Sequence, residues 1–128
     1  MYSMMKSAKN YEDVLLEGWE SLYRKSQLSL LVLLALKDGS KHVGQIKDFI
    51  TEATQGLQQT DEQSMYRALR RFKDADMVTY EEVQGSGGPN KKCYSLTESG
   101  TNVLQRFLQR NIVEFFYKPH IRQLVERG

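Results

Sequence analysis

The spacing of apolar and polar residues predicts four helices in the first part of the chain. Behind Asn10, a good helix-capping residue, apolar residues recur at helical spacing and predict an amphipathic helix. A second helix, apolar nearly all round and therefore buried on most sides, is predicted for the next segment, QLSLLVLLALKDG, and Gly39 ends it. A third helix is predicted from residue 40 or 41, with an apolar face formed by Val43, Ile46, Ile50 and Ala53. Thr60 and Gln63 have the spacing of a capping box, which predicts the start of a fourth helix over about residues 61–75.

The second part of the chain predicts a β-hairpin and a long last helix. Two β-prone runs, VTYEEV and KKCYSL, flank a stretch rich in turn-forming residues, QGSGGPN. Thr97 is the predicted cap of the last helix, and Pro119 either kinks this helix or begins a separate short helix that ends near Glu126. Three short helices followed by a hairpin are the layout of a winged helix-turn-helix. The predicted fold class is therefore mainly α with a small β-hairpin.

The fourth helix separates an apolar face from a basic and polar one. On a helical wheel the buried face contains Met65, Ala68, Leu69 and Phe72. The opposite face contains Gln63, Arg67, Arg70 and Asp74, with Tyr66 next to Arg70 and Ser64 at one edge. Arginine is the commonest reader of guanine edges, glutamine can pair with adenine, and hydroxyls suit phosphate oxygens. This face predicts contact with a DNA major groove, and the alternative is an ordinary solvated helix face.

Lysines at two other places extend the predicted DNA face. The strand returning from the glycine-rich hairpin tip opens with Lys91 and Lys92, which could reach over a phosphate backbone as a wing does. Lys41, at the start of the third helix, is included as a further contact. The alternative for the hairpin is a solvated turn.

Composition excludes several function classes. The net charge of +2 does not by itself indicate a nucleic-acid binder, so that prediction depends on where the charges lie. The single cysteine, Cys93, cannot form an internal disulfide and fits a reducing cytosol. The longest apolar run has seven residues, too few to cross a membrane. The two histidines are far apart and no Cys-x-x-Cys motif occurs, so we expect no metal, no cofactor and no enzyme activity.

One long segment resembles the PadR family of bacterial and archaeal transcriptional regulators. That family carries Leu-Tyr-x-x-Leu-x-x-Leu in its recognition helix and Tyr-x-Leu-Thr-x-x-Gly at the end of its wing. The corresponding stretches here are MYRALRRF and YSLTESG, and upstream LLVLLALKDGSKHVGQIKDFI is similar to the family's first helix and the start of its second. The resemblance spans residues 27–100 and implies a cytoplasmic, nucleoid-associated DNA-binding homodimer, usually a repressor. It also implies that Tyr66 and its neighbours lie at the DNA and that the wing lysines lie on its backbone.

Three positions depart from the family pattern. The family commonly has His-Gly-Tyr where this chain has His42, Val43 and Gly44, so a DNA contact by that tyrosine is not available. The glycine after the recognition helix is Asp76, and aspartate tolerates a left-handed backbone less well. The usual Tyr-Tyr of the returning strand is Cys93-Tyr94.

The last helix carries more apolar residues than one buried stripe needs. Exposed patches of this kind mark interfaces, and paired DNA half-sites suit a two-fold dimer. The resemblance agrees, and we expect a homodimer interface with residues from both terminal helices: Leu15, Trp19, Leu104, Phe107, Leu108, Phe115 and Phe116. The alternative is that these side chains close the core of a monomer, and core packing is the plain role expected of Trp19.

The chain is thus expected to have four parts, and two functions stay open. The parts are a flexible tail (1–9), an N-terminal helix that supports dimerisation (10–25), a winged helix-turn-helix domain (26–100) and a C-terminal dimerisation helix (101–128). The leading function is sequence-specific DNA binding. The alternative is a winged helix that docks a protein partner, since residues 60–98 carry a net charge of −1. No ligand motif identifies a small-molecule effector.

Overall fold

The computed structural model describes residues 10–85 and 87–127, so the tail predicted for residues 1–9 lies outside the described residues. In chain order the described residues form α1 (Tyr11–Asp38), α2 (Val43–Ala53), α3 (Glu62–Asp74), β1 (Val78–Val83), β2 (Lys91–Leu96), α4 (Glu98–Leu108), a π-helical turn (Gln109–Val113), α5 (Glu114–Phe116) and α6 (Pro119–Glu126). The two strands form one antiparallel hairpin in which Tyr80 pairs with Tyr94 and Glu82 with Lys92. The predicted fold class, mainly α with a hairpin arranged as a winged helix-turn-helix, is confirmed.

A single helix, α1, replaces the two helices predicted for the first part of the chain. Asn10 caps its start, where Oδ1 accepts a hydrogen bond from the Asp13 amide at 2.8 Å, and Gly39 caps its end, as predicted. The expected break near residue 25 is absent because the connecting sequence, RKSQ, contains neither glycine nor proline. Ser26 fits inside the helix by donating its hydroxyl proton to the Tyr23 carbonyl.

The core lies between the C-terminal half of α1, one face each of α2 and α3, the base of the hairpin and α4. Its buried members are Val32, Leu33, Ala35, Leu36, Val43, Ile46, Ile50, Met65, Ala68, Leu69, Val78, Tyr94 and Leu104. Two predictions are corrected here. Ala53, expected on the buried face of α2, is exposed in the last turn of that helix. Leu104, expected in a dimer interface, is only 2% exposed because α4 packs it into the core of its own chain.

The two helices of the helix-turn-helix begin at caps that differ from the predicted ones. The predicted box of Thr60 and Gln63 is wrong, because Asp61 is the cap of α3. A capping box does occur, but at the start of α2, where His42 and Gln45 each accept a hydrogen bond from the other's backbone amide. Aspartate satisfies the α3 amides from a position one residue later than Thr60, so α3 begins at Glu62.

A short junction connects the end of α3 to the start of α4. Asp76 has a φ of 64°, a left-handed conformation that glycine adopts more readily than residues with a Cβ atom. Thr97 caps α4 as predicted, and its hydroxyl also donates a proton to the Asp76 carbonyl at 2.7 Å. The Thr97 amide donates to the Met77 carbonyl at 3.0 Å. These bonds connect the base of the wing to the end of α3.

Replacing Asp76 with glycine is expected to raise the free energy of unfolding by about 0.5–1 kcal/mol. The left-handed backbone is costly for residues with a Cβ atom and not for glycine. Asp76→Ala should lower the unfolding free energy, because alanine keeps the Cβ and loses the short polar side chain. Urea denaturation followed by circular dichroism measures both changes, and a glycine variant less stable than the unaltered chain would contradict the explanation.

The C-terminal segment leaves the domain as a broken helix. Beyond α4 the π-helical turn widens the helix, α5 follows directly, and Pro119 occupies the first position of the separate helix α6. Of the two alternatives for Pro119, the structure has the separate short helix, which ends at Glu126.

Candidate nucleic-acid interface

The predicted division of α3 into a buried and an exposed face is confirmed. Met65, Ala68 and Leu69 are buried, and Phe72 is partly buried against the core. On the other side Gln63, Arg67 and Arg70 are exposed, and Tyr66 is exposed over nearly half of its surface. The helix therefore presents a polar side to solvent, on which Arg67 and Arg70 are basic.

A chain of hydrogen bonds at the start of α3 orders one of the arginines. Asp61 Oδ1 accepts from the Ser64 amide at 2.8 Å, and the Ser64 hydroxyl donates to Asp61 Oδ2 at 3.1 Å. An Arg67 guanidinium nitrogen donates to the Ser64 hydroxyl oxygen at 3.1 Å. The amide and hydroxyl of Ser64, followed by weaker attraction to Arg67, lower the pKa of Asp61 below its usual value of 3.8. The same cap therefore begins the helix and restricts the arginine side chain.

The Asp61 cap is expected to give a pH-dependent contribution to stability. Because its pKa is lower in the folded chain, the carboxylate stabilises the fold above pH 3.8, and this contribution is lost as the pH falls through the lowered folded value. Asp61→Asn keeps an oxygen acceptor for the Ser64 amide but does not titrate. The difference in unfolding free energy between the two proteins should therefore shrink between neutral pH and pH values below 3.8. A difference that is constant over this range would contradict the assignment.

A cleft of about 460 Å³ lies between the start of α2, the first turns of α3 and the wing. It brings together three of the predicted DNA contacts, Tyr66 from α3 and Lys91 and Lys92 from β2. The same cleft is lined by residues that the sequence did not single out as contacts, chiefly His42, Glu62 and Asn90. We call the exposed polar side of α3 together with this cleft the basic face.

Aromatic rings support the lysines at the base of the wing. The Lys92 ammonium lies 4.6 Å from the centroid of the Tyr80 ring, and the Lys73 ammonium lies 5.9 Å from it. Tyr80 in turn packs against Tyr94 with ring centroids 5.5 Å apart. Burial raises the pKa of the Tyr94 hydroxyl, although the positive charge of Lys92 opposes this. The ring of Tyr80 therefore holds cations from the wing and from α3 close to each other.

Lys41 differs from the other predicted DNA contacts because its ammonium group already has hydrogen-bond and ion-pair partners within the chain. Its ammonium donates to the Ala35 carbonyl at 2.7 Å and to the Asp38 carboxylate at 2.9 Å, and it lies 5.3 Å from the Phe49 ring centroid. Its side chain is only 14% exposed. A cation at the C-terminal end of α1 stabilises that helix. These contacts favour an intramolecular role, and we leave Lys41 out of the basic face.

The residues predicted for a dimer interface divide into three groups. Leu104 is buried in the core and Leu108 is partly buried against it. Five of the predicted residues are exposed: Leu15, Trp19, Phe107, Phe115 and Phe116. Trp19 is 73% exposed, so core packing within one chain, its plain predicted role, is wrong. The N-terminal half of α1 and the C-terminal segment thus carry large apolar side chains in contact with solvent.

Residues 10–85 and 87–127 contain neither a metal-binding cluster nor a membrane-spanning helix. This part of the chain holds no group of three or more histidine, cysteine, aspartate or glutamate side chains arranged to bind a metal ion. None of its helices combines the length and apolar character needed to span a membrane.

The helix-turn-helix, the wing and the exposed basic face together define a winged-helix protein. The sequence profile of the PadR-like family of transcriptional regulators matches residues 32–106, which is more than half of the chain. The chain therefore belongs to the PadR-like family of transcriptional regulators.

Similar solved structures come from several bacteria. A PadR-like transcription factor from Bacteroides fragilis is 28% identical with a TM-score of 0.61, over 73% of this chain and 87% of that one. A PadR-family regulator from Eggerthella lenta is 19% identical with a TM-score of 0.69, over 92% and 97%. Bacillus subtilis PadR, solved in complex with operator DNA, is 23% identical with a TM-score of 0.57, over 63% of this chain and 46% of that one. No curated protein matches the sequence.

Proposed function

We propose that this regulator binds double-stranded DNA as a homodimer and represses transcription. The observation that carries the proposal is the basic face, in which exposed Arg67 and Arg70 on α3 lie beside a cleft lined by Tyr66 and both wing lysines. Recognition helices and wings contact DNA in this combination, with the helix in the major groove and the wing on the backbone. The Bacillus subtilis relative solved with operator DNA supports the same function.

The direct experiment is fluorescence anisotropy with duplex DNA from immediately upstream of the protein's own gene. A scrambled duplex serves as competitor, and the measurement is repeated over a range of salt concentrations. Binding to phosphates falls steeply with salt because counterions are released. Substituting glutamine at Lys91 and Lys92 should weaken binding to both duplexes alike and reduce the salt slope. If the salt slope is unchanged by both substitutions, the wing does not contact the phosphate backbone.

The proposed dimer interface joins the exposed apolar side chains of α1 and of the C-terminal segment. Sedimentation equilibrium at micromolar concentration is expected to give twice the mass of one chain. Phe107→Glu should shift the protein toward monomer, since a carboxylate would be buried in the interface. Leu57→Glu is the matched control, because Leu57 is exposed in the loop between α2 and α3 and outside the proposed interface. A monomeric unaltered chain would contradict the dimer.

A protein-docking winged helix is the second candidate. The observation that favours it is the acidic character close to the basic face: Glu62 lines the cleft, and the exposed Glu82 lies opposite Lys92 in the hairpin. Binding that is equally weak on both duplexes and insensitive to salt would favour this function. Repression itself is tested by a reporter gene under the same upstream DNA, whose expression should rise when the regulator is deleted.

A further inference from the structure

His42 is an unusual residue for the start of a helix. Its Nδ1 accepts from the Gln45 amide at 3.3 Å, a longer bond than the 2.8 Å bonds at the aspartate and asparagine caps of this chain. Serine, asparagine and aspartate are the effective residues at this position. Positions at which a chain departs from local preference occur most often at functional sites. The histidine therefore calls for a role beyond capping.

The cap fixes the tautomer of the ring. In a neutral imidazole one nitrogen accepts and the other carries the proton. Because Nδ1 accepts from the Gln45 amide, the proton lies on Nε2. Among the described residues, Nε2 has no hydrogen-bond partner, although the ring is partly buried. His42 thus has one oriented N–H donor that the fold does not use.

His42 belongs to the basic face. His42 lines the same cleft as Tyr66, Lys91 and Lys92. The ring lies over the first turn of α2, where a Cβ atom at Gly44 would come within 3.0 Å of His42 Cε1 and 3.2 Å of Nδ1. Glycine costs up to about 1 kcal/mol relative to alanine inside a helix, yet it leaves room for the ring here. His42 is therefore a weak capping residue and Gly44 a weak helix former, yet together they allow the observed position of the ring.

We propose that His42 binds DNA, by donating its Nε2 proton to a phosphate oxygen of the backbone held by Lys91 and Lys92. This inference rests on the proposed function. A neutral, directional donor suits a cleft that also contains the Glu62 carboxylate, because it adds a phosphate contact whose orientation is set by the cap. The contact carries no sequence information, so its effect should appear on any duplex.

The test compares two substitutions that separate capping from DNA contact. His42→Ser keeps a good cap but removes the ring, and His42→Ala removes both cap and ring. Both variants are expected to bind a short fluorescein-labelled duplex of arbitrary sequence about three- to tenfold more weakly at low salt, the effect of losing one hydrogen bond. Only His42→Ala should be less stable in urea. If the serine variant binds DNA as the unaltered chain does, His42 is a cap and nothing more.

Lys91→Gln, measured on the same duplex, separates this inference from the proposed function. If Lys91→Gln weakens binding and His42→Ser does not, the histidine contact is wrong and the DNA-binding face stands. If neither substitution changes binding, both the inference and the assigned face are overturned. The salt slope adds a further criterion: it should fall for Lys91→Gln but stay unchanged for His42→Ser, because the proposed donor is uncharged. A reduced slope for the serine variant would contradict a neutral contact.

Discussion

Replacing Arg70 with alanine is expected to weaken binding to the operator by about 1–3 kcal/mol, roughly 5- to 150-fold, with no loss of folding. Arg70 is exposed in the middle of α3, on the side opposite the core. Its guanidinium forms no hydrogen bond or ion pair among the described residues and is therefore available to a guanine edge. Arg67→Ala should reduce the free energy of operator binding by a similar amount, although Arg67 also donates to the Ser64 hydroxyl.

Two further substitutions make this experiment specific. Arg70→Lys keeps the positive charge but cannot form the bidentate hydrogen bonds of a guanidinium. Compared with Arg70→Ala, it should therefore recover more of the affinity for scrambled DNA than of the affinity for the operator. Arg122→Ala is the matched control, because Arg122 is an exposed arginine on α6 whose partner is Glu126. Anisotropy titrations on operator and scrambled duplexes measure both effects. Equal losses for Arg70→Ala and Arg122→Ala would mean that α3 does not read the DNA.

Replacing Gly100 with alanine is expected to destabilise the fold by about 3 kcal/mol, a large effect for the addition of one methyl group. A Cβ atom at this position would overlap the Met77 carbonyl oxygen and would lie 2.8 Å from the Met77 carbonyl carbon. The atoms in the way belong to the Met77 backbone and not to a flexible side chain. The steric clash can therefore be removed only if α4 moves away from the base of the wing. That movement would strain the Thr97 bonds to the Asp76 and Met77 carbonyls.

The same substitution elsewhere provides a control of opposite sign. Gly18 lies in the exposed half of α1, and a Cβ atom there would come within 4 Å of no other described atom outside its chain neighbours and its own helix backbone. Gly18→Ala should therefore stabilise the chain by about 0.4–1 kcal/mol, since alanine favours the helix and restricts the unfolded chain. Urea unfolding at one fixed protein concentration compares the two variants. A Gly100→Ala protein as stable as the unaltered chain would show that the α4 junction can adjust at little cost.

Local signals in the sequence were sufficient for most elements. Asn10, Gly39 and Thr97 act where short-range hydrogen bonding predicts them, because a cap depends on a few neighbouring atoms. The amphipathic face of α3 followed from periodicity, and the hairpin followed from two β-prone runs that flank a stretch of turn-forming residues. The break expected in α1 was wrong because a change from an amphipathic to a fully apolar pattern reflects different surroundings and does not interrupt backbone hydrogen bonding.

The candidate site was predicted only in part. Periodicity identified Arg67, Arg70 and Tyr66, since one helix face can be read from spacing. His42 was missed as a cleft residue because it lies 20 residues before the start of α3 and nearly 50 before the wing lysines, and no local pattern connects these segments. Lys41 was predicted to face DNA, but its side chain turns back to the end of α1, a choice determined by carbonyl groups that the sequence does not locate.

The sequence by itself determined the order of the elements from α2 to α4, the family resemblance and the residues that α3 exposes, because these depend on local periodicity and short motifs. Only the tertiary structure decided which of those residues share a surface. In the folded chain Leu104 is buried and Trp19 is exposed. The Lys41 ammonium is hydrogen-bonded to the Ala35 carbonyl, and His42 lies in the cleft beside the wing. The physical reason is that burial and charge pairing depend on which distant segments pack together, and this packing is a property of the whole core.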